Sequence, residues 1–500
     1  MLAVAQSIAP NVTLANSLGD ASLDYEPMVV VGGNGVAGPT YVDNAAYREY
    51  VFQTFQAKAL DMETPAAAHV ATQFGKKFLF FRSLSDLAGG EDESNSLGIF
   101  FGIAAANAVT ALSAFLEELP VENNSEGAPV PADHFPGEAT PGLLGILSFW
   151  EPELDALKAI MNDGEGASET LVFGGRKFYR GTIAGADVVA TLTGVSISNA
   201  AMTTTLMAML YPGVERIIGG GIAGGVDPSL KVGDVVIPER WAMYQMQVYG
   251  RNREDYWVPV EFESDLVVGK DCGGWNGIDE FLTGNETCDF SLQEASNFGM
   301  IFPKTIQTPD PNGADEMHLI SEGETRKWWF EVDSEMYEMA KEAVEGVVLK
   351  NESPSGVTLP HNPEIYFGGN GISGPTFVDN AEYRTYVFEH FQARCLDMES
   401  AAAAHIAYQN GIPVLFLRSL SDLAGGDEDS NVIDVFFSLA AENAFTVTKA
   451  VIEKMYPVKD AAEDDAAGDG SVNADEDSSA STLWTILYVI SSSILVLALC

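Results

Sequence analysis

Arg418-Ser419-Leu420-Ser421-Asp422 closes the apolar run Val414-Leu-Phe-Leu417, and the same five residues stand 336 positions earlier as Arg82-Ser83-Leu84-Ser85-Asp86. Asp397-Met398-Glu399 likewise repeats Asp61-Met62-Glu63, and 21 of the 30 residues from Asp61 to Gly90 are identical in the second copy. The identities include charged residues, which packing alone does not fix. The copies run without a gap over 32–118 and 368–454. A period this long is a duplicated domain rather than a solenoid. The first copy has no counterpart of residues 141–350 ahead of it. The chain therefore reads as a complete unit at 141–457, preceded by a partial repeat at 28–120 (the C-terminal half of such a unit) and a linker at 121–140.

Working outward, Gly145-Ile-Leu-Ser-Phe-Trp-Glu-Pro-Glu-Leu reads as a buried strand opening onto a helix. Val172–Phe178 with Tyr179–Ile183 reads as a hairpin, Asp187–Leu192 as a strand and Ser198–Tyr211 as a helix. Arg216–Ile218 runs as a strand into the glycine loop Gly219–Gly225, and Val235–Pro238 is another strand. Residues 240–330 look irregular. Asp333 caps a helix over Glu335–Val344. Then come strand Glu364–Phe367, a Gly-rich turn, helix Ala381–Phe388, strand Arg394–Asp397, helix Glu399–Asn410, strand Val414–Arg418 and helix Asp434–Tyr456. Strands alternating with helices predict an α/β fold with a mixed central sheet flanked by helices.

Composition bounds the partners. Apolar residues make up 46% of the 500, enough for a large core, and 48 glycines suit many strand-to-helix turns. Acidic residues outnumber basic ones 72 to 26, so nucleic acid is excluded as a partner by repulsion from its phosphates. Four cysteines are too few for a disulfide scaffold. Cys272 and Cys288 are spaced to pair in an oxidising compartment, whereas Cys395 ends an apolar strand and reads as a buried free thiol. No His/Cys/carboxylate cluster has metal-ligand spacing, so no metal is expected. Sequons at Asn11, Asn123, Asn285 and Asn351 raise glycosylation as an expectation.

The C-terminal end points to a membrane. Residues 458–481 are an acidic, small-residue spacer without apolar periodicity, and Thr482–Cys500 is uncharged and long enough to cross a bilayer. This suits either a tail anchor or a removable lipid-anchor signal, and predicts a membrane-associated protein of the secretory pathway or cell surface. Met1–Pro10 has no basic residue and makes a poor signal peptide.

Two glycine runs, Gly33–Gly38 (with Gly369–Gly374) and Gly219–Gly224, match the dinucleotide fingerprint in spacing. Prolines follow the first and Asp-Pro-Ser-Leu the second, so no helix opens after either. Both read as places where a missing Cβ allows close approach. Carboxylates at the ends of buried strands are costly unless paired or used. Glu153, Glu399 and Asp422 each stand at such an end, where open α/β sheets bind ligands. Arg418 precedes Asp422 by four residues. Helix capping and surface ion pairing are the plain alternatives for each. His405, six residues after Glu399, points to another face and reads as a packed histidine.

Gly221-Ile-Ala-Gly-Gly-Val-Asp-Pro-Ser-Leu-Lys-Val-Gly-Asp-Val-Val-Ile237, Leu396-Asp-Met-Glu-Ser-Ala-Ala402 and Arg418–Asp422 resemble the nucleoside phosphorylase/nucleosidase superfamily. The likeness is greatest to 5′-methylthioadenosine/S-adenosylhomocysteine nucleosidases. Thr376-Phe-Val-Asp-Asn-Ala-Glu-Tyr-Arg with Leu423-Ala-Gly-Gly resembles the plant bark-storage-protein branch. The resemblance implies a nucleoside phosphorylase-like fold, a purine nucleoside as small-molecule substrate, no cofactor (phosphate for a phosphorylase) and a homo-oligomer. It implies Asp422 as the acid toward purine N7, Glu399 on the ribose hydroxyls with Met398 beneath the sugar, and Glu153 orienting water. Phe377 would stack on the purine, Val378 would offer it backbone hydrogen bonds, and Arg418 would hold one of the acids. Gly221, Ala223 and Gly224 would line the substrate.

Ile222 departs from the Ser-Ala-Gly-Gly run usual in the nucleosidases. The start of the unit lacks the Gly-Asp-Pro-x-Arg phosphate-binding run of many phosphorylases, which favours hydrolysis. A phosphorylase and a non-catalytic storage or surface-binding protein of the same fold remain the alternatives. The partial repeat carries Glu63, Arg82 and Asp86, with Tyr41 in place of Phe377, but no counterpart of Glu153 or of the glycine loop.

Overall fold

The computed structural model describes residues 1–19, 21–89, 97–120, 141–245, 248–249, 305–309, 317–321, 329–426 and 431–457. The linker 121–140, the 458–481 spacer, the segment Thr482–Cys500, the Cys272–Cys288 pair, and the sequons at Asn123 and Asn285 lie outside them.

Residues 141–457 build a 12-stranded mixed sheet flanked by helices. Its central element is the glycine strand, Val214–Gly225. This strand runs parallel to Leu143–Ser148 on one side and to Val414–Asp422 on the other. Every residue of both neighbours is buried, which suits near-continuous apolar sequence in strands covered on both faces. Leu143–Ser148 is followed outward by Ala186–Leu192 in parallel and then by the hairpin Glu169–Phe173/Arg176–Ile183. At its far end the glycine strand turns to pair antiparallel with Ala393–Asp397, placing Gly224 opposite Leu396. Helix Ile433–Met455 packs with Glu151–Ile160 and Ser334–Ala343, and Ser400–Gln409 packs with Ile197–Leu210.

Several sequence expectations shift. The glycine "loop" is strand: Gly219, Gly220 and Gly221 lie inside Val214–Gly225 because their neighbours occupy the space of a side chain. A Cβ on Gly219 would fall 2.3 Å from the Phe416 ring. The hairpin turns at Gly174-Gly175, both with positive φ, and not at 178–179. The Gly-rich turn after Ile365–Phe367 contains the strand Asn370–Ser373, whose Gly371 lets Trp241 lie flat on the backbone. The stretch 240–330 is not wholly irregular: Arg240–Met243, Thr305–Pro309 and Met317–Ser321 are strands, as is Phe330–Glu331 at its end. The strand predicted over Val414–Arg418 continues to Asp422. Asp333 does cap its helix, accepting from Met336 N at 2.9 Å.

The partial repeat keeps its local pattern. Asn34–Ala37 pairs in parallel with Ala57–Asp61, with the same register shift after its first residue as Asn370–Ser373 on Ala393–Asp397. It rests on the complete unit through Phe74 against Phe173, with rings 6.0 Å apart. Tyr41–Val42 pairs with Val248–Tyr249, and Thr40 donates to the Gln245 carbonyl at 2.9 Å. The repeat-related Thr376 donates to the side-chain oxygen of that same glutamine.

Candidate active site

Glu153 enters the site because it is also a helix cap. It is the third residue of Glu151–Ile160, and its Oε2 accepts from the backbone N–H of Phe149 and Trp150, one half of a capping box. Capping uses only one oxygen. The other, Oε1, accepts from Ile222 N at 2.9 Å across the strand junction and lies 3.8 Å from Arg418 Nη1. Burial raises its pKa despite Arg418 and three N–H donors.

Gly221 makes this approach sterically allowed. A Cβ there would stand 2.6 Å from both Glu153 Oε1 and Arg418 Nη1. The isoleucine beside it does not remove the polar groups: Ile222 gives its N–H to Glu153 and its carbonyl to Arg418 Nη1 at 2.9 Å. The backbone, not the side chain, serves the cluster at this position.

Arg418 is fully buried on the strand Val414–Asp422, its guanidinium stacked 4.0 Å from the Phe149 ring centroid. Its Nε lies 2.8 Å from Asp397 Oδ2, and its fork donates to Ser400 Oγ at 3.0 and 2.9 Å and reaches Glu399 Oε2 at 3.5 Å. Glu399 Oε1 accepts from Ser196 N at 2.9 Å, a residue held at φ 96° at the mouth of Ile197–Leu210. Burial, with the charge of Asp397 adding to it, pushes Glu399 up to about 8 against the pull of Arg418.

Asp422 stands apart from this cluster. A register shift between Ala223 and Gly224 leaves Ser421 as an extra residue between Leu420 and Asp422, and such bulges re-aim side chains. Asp422 Oδ1 accepts from Ala424 N at 2.8 Å and Oδ2 from Ser421 Oγ at 2.9 Å, while Asn431 reaches Oδ1 at 3.4 Å. Burial raises its pKa over these donors, which favours a carboxyl that holds its proton toward neutral pH. Gly224 lies against it, with Oδ1 3.4 Å from where a Cβ would be.

The rest of the expected set is placed unequally. Ala223 is buried and its carbonyl faces Ser421 Oγ. Val378 is buried with Val226, Leu396 and Ala424, Met398 is half-buried, and Phe377 is exposed at 53%. His405 is buried and stacked on Phe330 at 5.0 Å, away from the cluster, and burial lowers it to about 4. Cys395 is a buried free thiol. Among the described residues no group of three His, Cys, Asp or Glu is arranged to hold a metal ion. Sequence reasoning gave no role to Asp397, Ser400 or Ser196. Asp397 was within reach, since it opens the repeated Asp-Met-Glu motif. Ser196 contributes only its backbone N–H, which leaves no mark in residue type.

The sequence profile of the phosphorylase superfamily matches residues 4–119 and 143–453. The chain belongs to the phosphorylase superfamily. The match in two stretches fits a superfamily domain preceded by part of a second. Curated relatives include 5′-methylthioadenosine/S-adenosylhomocysteine nucleosidases of Listeria monocytogenes, 30% identical over 61% of this chain and 95% of the relative, and of Tolumonas auensis, 24% identical over 62% and 99%. Among solved structures, the nucleosidase of that name from Neisseria meningitidis, bound to methylthio-immucillin-A, aligns at 21% identity with TM-score 0.40 over 62% of this chain and 99% of its own.

Proposed function

We propose that residues 141–457 hydrolyse the N-glycosidic bond of purine nucleosides of the methylthioadenosine type. The observation that carries this reading is the assembly of Glu153, Glu399 and Arg418 in one buried cluster, with the raised carboxyl of Asp422 a short way along the same strand ends. Cleavage leaves positive charge on the sugar, and the purine departs readily only if it is protonated. Protonated Asp422 gives its proton to N7 as the C1′–N9 bond breaks. A water adds to C1′ and passes its proton to Glu153, and Glu399 holds the ribose hydroxyls. Phe377 offers an exposed aromatic face to the base. These groups fit the activity named for the relatives, and general acid assistance of this kind contributes about 10²–10⁴-fold.

The full chain incubated with methylthioadenosine in phosphate-free buffer should release free adenine, and Asp422→Asn should lower that release by about 10²–10⁴-fold. Release that needs added phosphate would place the protein among phosphorylases, and no release from any purine nucleoside would favour the non-catalytic reading. The membrane reading rests on Thr482–Cys500 alone: the chain should partition into detergent, and a chain ending at residue 457 should not.

A further inference from the structure

Four ionisable residues, each at most 5% exposed, meet at the strand ends: Glu153, Asp397, Glu399 and Arg418. Arg418 comes from the strand Val414–Asp422, Asp397 and the neutral thiol of Cys395 from Ala393–Asp397, and Glu153 from Glu151–Ile160. The next cation, Arg394, is held by Asp227 at 3.2 Å. Three carboxylates against one guanidinium would carry a net charge of about −2 if all were ionised, and buried groups so placed take up a proton instead.

Hydrogen bonding decides which of the two glutamates takes it. Asp397 Oδ1 accepts from Ser373 Oγ at 2.5 Å and from the backbone N–H of Glu399 and Ser400 at 3.0 and 3.1 Å, while its Oδ2 forms an ion pair with Arg418 Nε at 2.8 Å without a hydrogen bond. Glu153 takes three backbone N–H groups. Glu399 has the poorest set, with Ser196 N at 2.9 Å and Arg418 Nη2 at 3.5 Å. Donors stabilise the ionised form, so the proton falls to Glu399.

We propose that Asp397 is a positioning residue: it holds the Arg418 guanidinium by its charge beside Nε and, as the third carboxylate on one cation, keeps a proton on the Glu153–Glu399 pair, mainly on Glu399. The proposal deepens the hydrolase reading and rests on it for its consequence, since a neutral Glu399 can donate to one ribose oxygen while accepting from another. The partial repeat supplies an internal comparison. Arg82 Nε lies 2.8 Å from Asp61, Arg82 reaches Glu63 at 3.1 Å, and Thr64 takes the place of Ser400 at 2.9 Å. The same clamp contacts thus recur on the repeated motif at a more exposed site. Burial converts them into a proton-holding cluster.

Carbon-13 NMR of chain labelled at glutamate carboxyls, titrated between pH 5 and 9, reads the proton directly. The wild type should show a carboxyl titrating above pH 7 that vanishes in Glu399→Gln. In Asp397→Asn that titration should fall by about one pH unit or more, and in Asp397→Glu, which keeps the charge, it should stay. Adenine release by Asp397→Asn should drop in kcat by about 10²-fold, with KM within about threefold. Ser400→Ala loosens Arg418 without changing charge and should lower kcat while leaving the titration in place. Glutamates all ionised at pH 7 in the wild type overturn the proposal even if Asp397→Asn does not fold, as does an unmoved titration in folded Asp397→Asn. Loss of release in Asp422→Asn beside such an unmoved titration would keep the hydrolase reading and remove this one. If no nucleoside is cleaved, the titration alone decides.

Discussion

The segments 78–86 and 414–422 end in the same five residues and adopt different structures. In the second copy they are strand, buried at all nine positions between the glycine strand and Val235–Ile237. In the first copy no strand forms, Leu84 is 60% exposed and Leu87 44%. The difference lies in the neighbours: among the described residues, no strand stands beside 78–86 to accept a parallel ladder. Burying one leucine contributes about 1.5–3 kcal/mol, so the lost slot forfeits what would hold the segment extended. Yet the polar geometry survives, with Ser85 donating to Asp86 at 2.9 Å and Ala88 N at 2.8 Å, the same distances as around Asp422. Local motif chemistry is written in local sequence, whereas strand and burial are conferred by partners far along the chain.

The sharpest way to break this comparison is to make one substitution in both copies. Asp422→Asn should lower adenine release by about 10²–10⁴-fold and Asp86→Asn should leave it unchanged; equal losses would mean that the first copy completes a working site. Arg418→Ala strands three buried carboxylates and should destabilise the fold by about 3–5 kcal/mol in denaturant titration. Arg82→Ala, beside the half-exposed Glu63, should cost less than about 1 kcal/mol. Gly221→Ala should push Glu153 from Arg418 and reduce kcat by about 10²-fold, with far-UV circular dichroism unchanged.

The pH dependence of stability is a gentler test. Glu399 is raised from the ordinary glutamate value of 4.5 to about 8, so across that window the folded chain binds more protons than the unfolded one. Stability should therefore be highest below the window and fall as pH rises through it. Glu153 and Asp422 shift in the same direction and add to the slope. Thermal melts should show Tm falling between pH 5 and 8, less steeply in Glu399→Gln.

The alternation of strands and helices, and the standing of Glu153, Glu399 and Asp422 at the ends of buried strands, were legible because they depend on apolar periodicity and on carboxylates set at strand ends, although Asp422 stands apart from the other two. What was not legible depends on contact. Gly219–Gly221 read as a loop because glycine favours loops. They lie in a strand because Phe416, Thr448 and Arg418 fill the volume their side chains would take. Asn370–Ser373 read as a turn for the same reason. Ser196 was silent because its contribution is a main-chain N–H in a strained conformation.

The parallel ladder between Ile217 and Val414 has one further consequence, for assembly. During synthesis, vectorial emergence brings out 78–86 long before 414–422, so the vacant edge of the glycine strand first meets the wrong copy. Two near-identical suitors for one edge make a domain-swapped trap, the characteristic failure of repeated domains. Leu84 is exposed in the native chain, whereas Leu420, its counterpart, is fully buried in that slot. Leu84→Asp should thus disarm the early competitor, raising refolding yield while leaving the finished molecule as it is.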